Sequence, residues 1–142
     1  KPVRTAGSVE DAVRDADLIV TTTPARAALV QESWVKPGAT VIAVGADSPG
    51  KQELDPLLLV RADKVVVDLV RQAARLGELQ HVCAPGSTVS AANLHGELGA
   101  VLLNKCAGRE SPSERIICDL TGTGAQDAAI AEAVWTAYQA AR

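Results

Sequence analysis

The hydrophobic positions along the chain fall into short apolar runs that are separated by stretches with helical spacing. Four of the runs are rich in valine, isoleucine and threonine, a composition typical of buried strands. They predict strands at 18–23, 40–44, 64–68 and 115–119. Between them, apolar residues recur every three or four positions, which indicates helices with one buried face. The predicted helices cover 5–17, 53–62, 70–82, 90–103 and 125–141.

Local signals support several of these boundaries. Ser8 precedes Asp11 by three positions, which is the spacing of a helix capping box. Pro24 ends the first strand, because proline lacks the amide that a central strand needs. On the closing helix, Trp135 and Tyr138 share one face with other apolar residues and are expected to be buried.

Continuous apolar strands that alternate with helices predict an α/β fold with a doubly wound, mostly parallel sheet. In sheets of this kind, ligands bind beyond the carboxyl ends of the strands. The residues that follow the strands, at 22–24, 45–47 and 121–124, are therefore the first candidates for a functional site.

Composition limits the class of protein. The 142 residues suffice for one domain with a core but not for two. The net charge of −3 gives no electrostatic reason to expect a nucleic acid or an anionic membrane as partner. No apolar run approaches the roughly 20 residues that span a bilayer. The three cysteines are widely spaced, which favours reduced thiols in a cytoplasmic protein over a disulfide framework or a metal site.

The stretch at 44–56 carries the most chemical information. A buried strand ends in Val44 and Gly45, and a glycine there would let a flat ligand approach the backbone closely. Asp47 then places a carboxylate at the mouth of the strand. Pro56 suits the start of the next helix, since proline is tolerated in the first turn. On spacing alone, the favoured interpretation is a tight strand-to-helix connection in which Asp47 merely forms the turn.

Several collinear segments of the chain resemble the ornithine cyclodeaminase/mu-crystallin family, which also includes alanine dehydrogenases and cyclic ketimine reductases. The longest is the thirteen-residue stretch at 44–56. The others are ADLIVTTTP at 16–24, WVKPG at 34–38, HGELG at 95–99 and LTGTGAQD at 120–127. Blocks in a shared order across nearly the whole chain are much more specific than a lone glycine pattern.

The resemblance implies a Rossmann-type domain that binds NAD or NADP, and it gives roles to particular positions. Asp47 matches the aspartate that serves cyclodeaminase-like members as the acid/base group beside the reacting carbon. Such a group is chemically apt, because oxidation of an amino acid at Cα requires its amine to lose a proton. The other matched positions are expected to line the ribose and nicotinamide: Thr22, Thr23, Val44, Gly45, Ala46, Leu120, Thr121 and Gly122.

The chain departs from the family pattern at the cofactor phosphates. It contains no G-x-G-x-x-G turn, and the family's pyrophosphate-binding turn would lie upstream of Lys1. The sequence also lacks methionine. We therefore interpret residues 1–142 as the C-terminal part of an NAD(P)-binding domain, a partial Rossmann-like sheet that lacks its first βαβ unit. Alone, it is expected neither to bind the cofactor well nor to catalyse a reaction.

The leading functional hypothesis is an NAD(P)-dependent, cyclodeaminase-like enzyme that acts on a small α-amino acid through an imine intermediate. Reduction of a cyclic ketimine of the pyrroline-carboxylate type and alanine dehydrogenation are alternatives within the enzyme class. A non-catalytic, mu-crystallin-like binding protein is the alternative from another class. The expected partners are an amino acid or imine substrate and further copies of the whole protein, since relatives commonly form dimers.

The histidines are expected to be structural or solvent-facing, and Cys83 and Cys106, near loops, show no activating partner. His95 falls on the predicted helix 90–103, where Glu97, two positions later, cannot share its helical face. His81 is assigned the same structural or solvent-facing role. Cys118 lies within an apolar strand and is expected to be a small core residue and not a nucleophile.

Overall fold

The computed structural model describes residues 3–83 and 94–142. In chain order, its elements are α1 (Val9–Val13), β1 (Leu18–Thr21), β2 (Arg26–Val30), a short 3-10 helix (Glu32–Trp34), β3 (Thr40–Ala43), β4 (Gln52–Leu54), α2 (Pro56–Arg61), β5 (Lys64–Val67), α3 (Val70–Leu76), α4 (Gln80–Cys83), β6 (Leu94–Glu97), α5 (Leu98–Leu102), β7 (Ile116–Asp119) and α6 (Gly124–Ala140). The four predicted strands are β1, β3, β5 and β7, each within two residues of its predicted bounds. Among the described residues, no helix is long and apolar enough to cross a bilayer.

Five parallel strands form one sheet in the order β1-β3-β7-β5-β6. β3 lies between β1 and β7, with Ala43 opposite Thr21 on one side and opposite Asp119 on the other. β5 continues the register, because its Val67 also lies opposite Asp119. The carboxyl ends of these strands therefore meet at one edge of the sheet. This parallel arrangement confirms the predicted α/β fold class.

The core is built from the buried faces of the strands together with α1, α2, α3, α4 and a second, two-stranded sheet. β1 buries Ile19 and Thr21, whereas Leu18 and Val20 on its other face are exposed. β5 is buried along its whole length, as expected of a strand with neighbours on both sides. The predicted cap of α1 is confirmed, because the Ser8 hydroxyl accepts from the Asp11 amide at 3.0 Å.

The prediction of a helix over 53–62 is wrong at its start. Residues Gln52–Leu54 form β4, which pairs in parallel with β2, a strand that the sequence pattern did not indicate. The helix begins only at Pro56, where the Asp55 side chain caps it by accepting from the amide of Leu57. The helical backbone conformation is disfavoured for the residue that precedes a proline. The proline that starts the helix therefore also prevents its extension backwards.

The helix predicted over 70–82 is interrupted at Gly77, between α3 and α4. The Asp119 carboxylate accepts from the amides of Glu78 and Leu79 at 2.9 and 2.8 Å. A Cβ atom at Gly77 would lie 2.5 Å from the same carboxylate. The break in the helix therefore follows from a contact with β7, which lies far away in sequence.

The helix predicted over 90–103 is also wrong in its first part. Within that range, Leu94–Glu97 form strand β6, which pairs with β5, and the helix α5 covers only Leu98–Leu102. His95 consequently lies on a strand and not on a helix. Residues 90–93, and the loop predicted around 85–86, lie outside the described residues. Pairing with a distant strand overrides the local helical spacing here.

The closing helix α6 is exposed along its length, contrary to the predicted buried face. Trp135 and Tyr138 are 58% and 48% exposed, and their rings stack with centroids 5.8 Å apart. The helix begins at Gly124, one residue before the predicted start, directly after Thr123, which forms a capping box with Gln126. Apolar spacing identifies the face of a helix that is suited to packing. It does not show whether the same chain supplies the surface that covers that face.

Candidate functional site

The predicted site residues follow three neighbouring strands and lie at one edge of the sheet. Residues 22–23 follow β1, residues 44–47 follow β3, and residues 120–122 follow β7. The Val44 amide, directly after β3, donates to the Thr21 carbonyl oxygen at 2.9 Å. The Leu120 amide, directly after β7, donates to the Ala43 carbonyl oxygen at the same distance. Three adjacent strand ends span roughly 10 Å. The structure thus brings the predicted residues to one surface, which we call the strand-end site.

Exposure divides the strand-end site into residues that a ligand can touch directly and residues that shape its floor. The exposed members are Thr22, Val44, Asp47 and Gly122. The buried or partly buried members are Thr23, Gly45, Ala46, Leu120 and Thr121. An open groove of about 630 Å³ along α1 and β1 includes Thr22 and Thr23 in its lining. The site is therefore accessible from the end of β1.

Glu53 was not predicted as a site residue, yet its buried carboxylate joins two of the strand ends. Oε2 accepts from the Thr21 hydroxyl at 2.7 Å and from the Gly45 amide at 2.8 Å. Oε1 accepts from the Thr23 amide at 2.5 Å. The sequence offered only one signal for this role, an acid next to Leu54 after the Pro49-Gly50 loop. The same pattern equally suits the first turn of a helix.

Gly45 is required by contacts within the protein. A Cβ atom there would lie 2.2 Å from the Thr23 carbonyl oxygen and 2.5 Å from a Glu53 carboxylate oxygen. Because the first of these is a backbone atom, a side chain could be accommodated only by moving the end of β1. The neighbouring strand end, and not a flat ligand, fills the space that this glycine leaves. A cofactor contact through the Gly45 backbone stays a prediction.

A second carboxylate, that of Asp68 after β5, fixes the strand end after β7. It accepts from the Thr121 hydroxyl at 3.0 Å and from the Gly122 amide at 2.6 Å. The side-chain amide of Gln72, on α3, donates to the same hydroxyl at 2.9 Å and to the Gly122 carbonyl oxygen. Gly122 has a φ of 82° and open space where a side chain would be. Its backbone is therefore held in place but open to a ligand.

Asp47 is exposed at the mouth of the site and is held as a carboxylate. Its Oδ1 accepts from the Lys51 ammonium at 2.6 Å and from the Ser48 hydroxyl at 2.9 Å. These contacts, the Lys51 hydrogen bond above all, hold the pKa of Asp47 below its ordinary value of 3.8. The group is therefore ionised at neutral pH.

Lys51→Met should raise the pKa of Asp47 towards its ordinary value, because the substitution removes the largest cause of the lowering. An NMR titration of the Asp47 carboxyl group measures the change. The matched control is Lys36→Met, which should raise the pKa of Asp17 in the same way and leave that of Asp47 where it is. A pKa of Asp47 that does not respond to Lys51→Met would refute the pairing.

Two further carboxylates behind the site, those of Glu78 and Asp119, are almost completely buried. Burial raises the pKa of Glu78 from 4.5 to about 7 and that of Asp119 from 3.8 to about 6. Backbone amides that donate to each carboxylate oppose the shift, but the loss of hydration outweighs them. Sequence reasoning placed both residues inside ordinary elements and missed their burial.

Glu78→Gln should change how stability depends on pH. An acid whose pKa is raised in the folded state favours folding while it is protonated. This contribution is complete below the unfolded pKa of about 4.5 and is lost as pH rises through about 7. Relative to the variant, the unsubstituted protein should lose about 3 kcal/mol of unfolding free energy between about pH 4.5 and pH 8. Urea denaturation at both pH values measures the difference.

The control for this experiment is Glu114→Gln. The Glu114 carboxylate accepts from the Glu110 amide and pairs with Lys64, and these contacts lower its pKa. Relative to this second variant, the unsubstituted protein should gain stability as pH rises through the acidic range. If the unfolding free energy relative to each variant changed with pH in the same direction for both substitutions, the pKa of Glu78 would not be raised.

Both histidines contact backbone carbonyl oxygens, and Cys118 lies within a strand. His81 and His95 each place Nε2 2.7 Å from a backbone carbonyl oxygen, that of Lys51 and that of Ala107. These local contacts agree with the expected structural role. Cys118 is partly buried in β7, and burial raises the pKa of its thiol, which disfavours the reactive thiolate.

The strand-end site suits the nicotinamide and ribose end of a dinucleotide. It presents threonine hydroxyls, backbone groups and small residues beyond the ends of parallel strands, where ligands bind in such sheets. Gly122, with its open backbone, fits the close approach of a flat ring. Among the described residues, no group of three or more His, Cys, Asp or Glu side chains could hold a metal ion. The sequence contains no G-x-G-x-x-G phosphate turn.

Comparison with known proteins identifies the family. The chain belongs to the ornithine cyclodeaminase/mu-crystallin family, whose family model matches residues 1–141. An uncharacterized cyclodeaminase of Sinorhizobium fredii is 45% identical over 120 residues, which make up 84% of this chain and 36% of the relative. The resemblance stated from the sequence blocks is thereby confirmed.

Solved structures of relatives share the fold. An archaeal alanine dehydrogenase dimer with bound NAD matches with a TM-score of 0.84 and 40% identity, over 93% of this chain and 40% of that one. The iminosuccinate reductase of Paracoccus denitrificans in complex with NAD⁺ matches with a TM-score of 0.81 and 39% identity, over 92% and 39% of the two chains. The chain thus spans 40% or less of the length of these relatives.

Proposed function

We propose that this chain carries the nicotinamide-binding and proton-accepting part of an NAD(P)-dependent enzyme that converts a small α-amino acid through an imine. The observation that carries the proposal is the position of Asp47. Its carboxylate, kept ionised by Lys51, lies at the open edge where the ends of β1, β3 and β7 meet. Family membership supports the cofactor, since two relatives were solved with bound NAD.

The chemistry divides between the cofactor and the chain. A bound nicotinamide would supply the acceptor for a hydride from the substrate's Cα. Asp47 takes the proton that leaves the substrate's amine, so that the carbon–nitrogen bond becomes the double bond of an imine. Lys51 and Ser48 orient the carboxylate and keep it ionised before the proton arrives. The proposed cofactor contacts are Thr22, Thr23, Val44, Gly45, Ala46, Leu120, Thr121 and Gly122.

Reduction of an imine to an amino acid is the second candidate, and the similarity to iminosuccinate reductase favours it. This direction requires a proton donor for the nitrogen. In the structure the Asp47 carboxylate instead accepts from the Lys51 ammonium at 2.6 Å, as an ionised group does, so we place oxidation first. Alanine dehydrogenation is an example of the oxidative direction, and reduction of a cyclic ketimine is an example of the reductive direction. The two reactions also differ in substrate.

A two-way assay of the whole protein tests the proposal. In one direction, NAD⁺ or NADP⁺ is combined with ornithine, alanine or proline while NADH absorbance and released ammonia are followed. Ammonia without net NADH indicates cyclodeamination, and net NADH indicates dehydrogenation. In the other direction, NADH or NADPH is combined with cyclic and acyclic imines. Tight cofactor binding without turnover in either direction would contradict the enzymatic proposal and favour a non-catalytic binding protein.

A further inference from the structure

We propose that Glu53, Glu78 and Asp119 form a relay of buried carboxylates that positions the strand-end site, with Glu53 as the positioning residue that contacts it. The inference rests on the proposed function, because the surface that the relay positions is the proposed nicotinamide site. Its basis is a continuous series of hydrogen bonds in which each carboxylate fixes the backbone that carries the next. We call this series the carboxylate relay.

The first link connects β7 with the turn between α3 and α4. Asp119 is fully buried and accepts from the amides of Glu78 and Leu79 at 2.9 and 2.8 Å. The contact is tightly packed, since a Cβ atom at Gly77 would lie 2.5 Å from the carboxylate oxygens. Asp119 therefore fixes the backbone from which the Glu78 side chain extends.

The second link runs from this turn to β4. The Glu78 carboxylate accepts from the Glu53 amide at 2.6 Å and from the Leu54 amide at 3.2 Å. Both oxygens are used, and both donors are buried backbone groups that need a partner. Glu78 therefore fixes the backbone of β4 at the position from which the Glu53 side chain extends.

The third link reaches the strand-end site. Glu53 accepts from the Thr21 hydroxyl, the Thr23 amide and the Gly45 amide, which lie at the ends of β1 and β3. One carboxylate thus sets the separation and the orientation of two strand ends at once. Loss of its charge would release both ends together.

Salt bridges and metal binding do not account for this arrangement. Among the described residues, none of the three carboxylates forms a salt bridge, and they do not make up a metal-binding group. An apolar replacement would leave the buried backbone amides without acceptors. Directed hydrogen bonds to the backbone of a site offer what an apolar side chain cannot. Here they hold the two strand ends against which the nicotinamide would be positioned for hydride transfer.

Glu53→Gln in the whole protein tests the relay. A glutamine presents an N–H group to at least one of the donors that now bind the carboxylate, so the strand ends lose part of their common anchor. We expect the Kd for NADH, measured by isothermal titration, to rise roughly tenfold to 100-fold. Thermal melts establish that the variant is folded at the temperature of the titration.

The control variant is Glu32→Gln, which removes the partly buried ion pair with Arg115 at the opposite edge of the sheet, together with the pair that Glu32 forms with Arg61. It should lose stability while its Kd for NADH stays within about twofold of the unsubstituted value, as expected of distant, independent sites. This comparison separates positioning of the site from a general loss of stability. An equal rise in Kd in both variants would overturn the proposal.

Thr21→Val is a milder variant that decides the question if Glu53→Gln does not fold. It removes one donor to Glu53, keeps the side-chain shape, and should raise the Kd for NADH roughly threefold to tenfold. Unchanged affinity in Thr21→Val, or in a folded Glu53→Gln, would overturn the relay and leave the proposed function intact. Failure of the unsubstituted protein to bind NADH or NADPH would instead contradict the proposed function itself.

Discussion

Asp47→Asn is expected to lower the kcat of the whole protein by roughly 100- to 10,000-fold, the range that a positioned general base contributes. The amide cannot accept the proton of the substrate's amine, but it retains the size of the side chain and an oxygen that can accept from Ser48. The Kd for NADH should stay within about threefold, because Asp47 is proposed to act on the substrate and not to hold the cofactor. Steady-state kinetics with the substrate found in the two-way assay, together with NADH titration, measure both quantities.

Asp17→Asn is the matched control for this experiment. Asp17 is also exposed, also pairs with a lysine and also has a lowered pKa, in its case through Lys36. It precedes β1 and so lies at the edge of the sheet opposite the strand-end site. Its substitution should leave kcat unchanged. An Asp47→Asn variant with undiminished kcat would remove Asp47 from the mechanism.

Gly45→Ala is expected to lower the free energy of unfolding by about 3 kcal/mol, the upper part of the usual range for overpacking. The added methyl group would lie 2.2 Å from the Thr23 carbonyl oxygen and 2.5 Å from both the Thr23 amide nitrogen and a Glu53 oxygen. Two of these three atoms belong to the backbone. Relief therefore requires the ends of β1 and β3 to separate, which also weakens the hydrogen bonds to Glu53. Urea denaturation measures the loss.

Gly99→Ala provides the comparison. Gly99 lies in α5, and no atom is within 4 Å of the position that its Cβ would take. Alanine favours the helix over glycine, so this variant should be unchanged or more stable by up to about 1 kcal/mol. If Gly45→Ala proved as stable as Gly99→Ala, the ends of β1 and β3 could not be the rigid, close-packed surface described above.

The parts of the fold that depend on local signals could be predicted from the sequence. The β-branched runs gave β1, β3, β5 and β7 within two residues, because such runs suit buried strands and end at turn residues such as Pro24. The Ser8 cap of α1 is equally local. Because the predicted strands are parallel, the residues after β1, β3 and β7 were expected at one edge of the sheet. The location of the candidate site could therefore be predicted from the sequence, although its individual contacts could not.

The features that the sequence did not reveal depend on distant residues. Glu53 lies on a strand because β2 pairs with β4, and nothing in its immediate neighbours distinguishes a buried acid from one in the first turn of a helix. The break at Gly77 depends on Asp119, and the burial of Glu78 depends on β4. For α6, the apolar face was visible in the sequence, but its exposure was not.

The central claim is that the ends of β1, β3 and β7 form the nicotinamide site, and a chemical-shift titration of NADH into the isotope-labelled whole protein tests it most directly. The largest shifts are predicted at the backbone amides of Thr23, Gly45, Thr121 and Gly122. The chemical shifts of the amides of Glu32 and of other residues at the opposite edge should not change. Binding that shifts the opposite edge, or any other surface, without moving those four strand-end amides would contradict the claim.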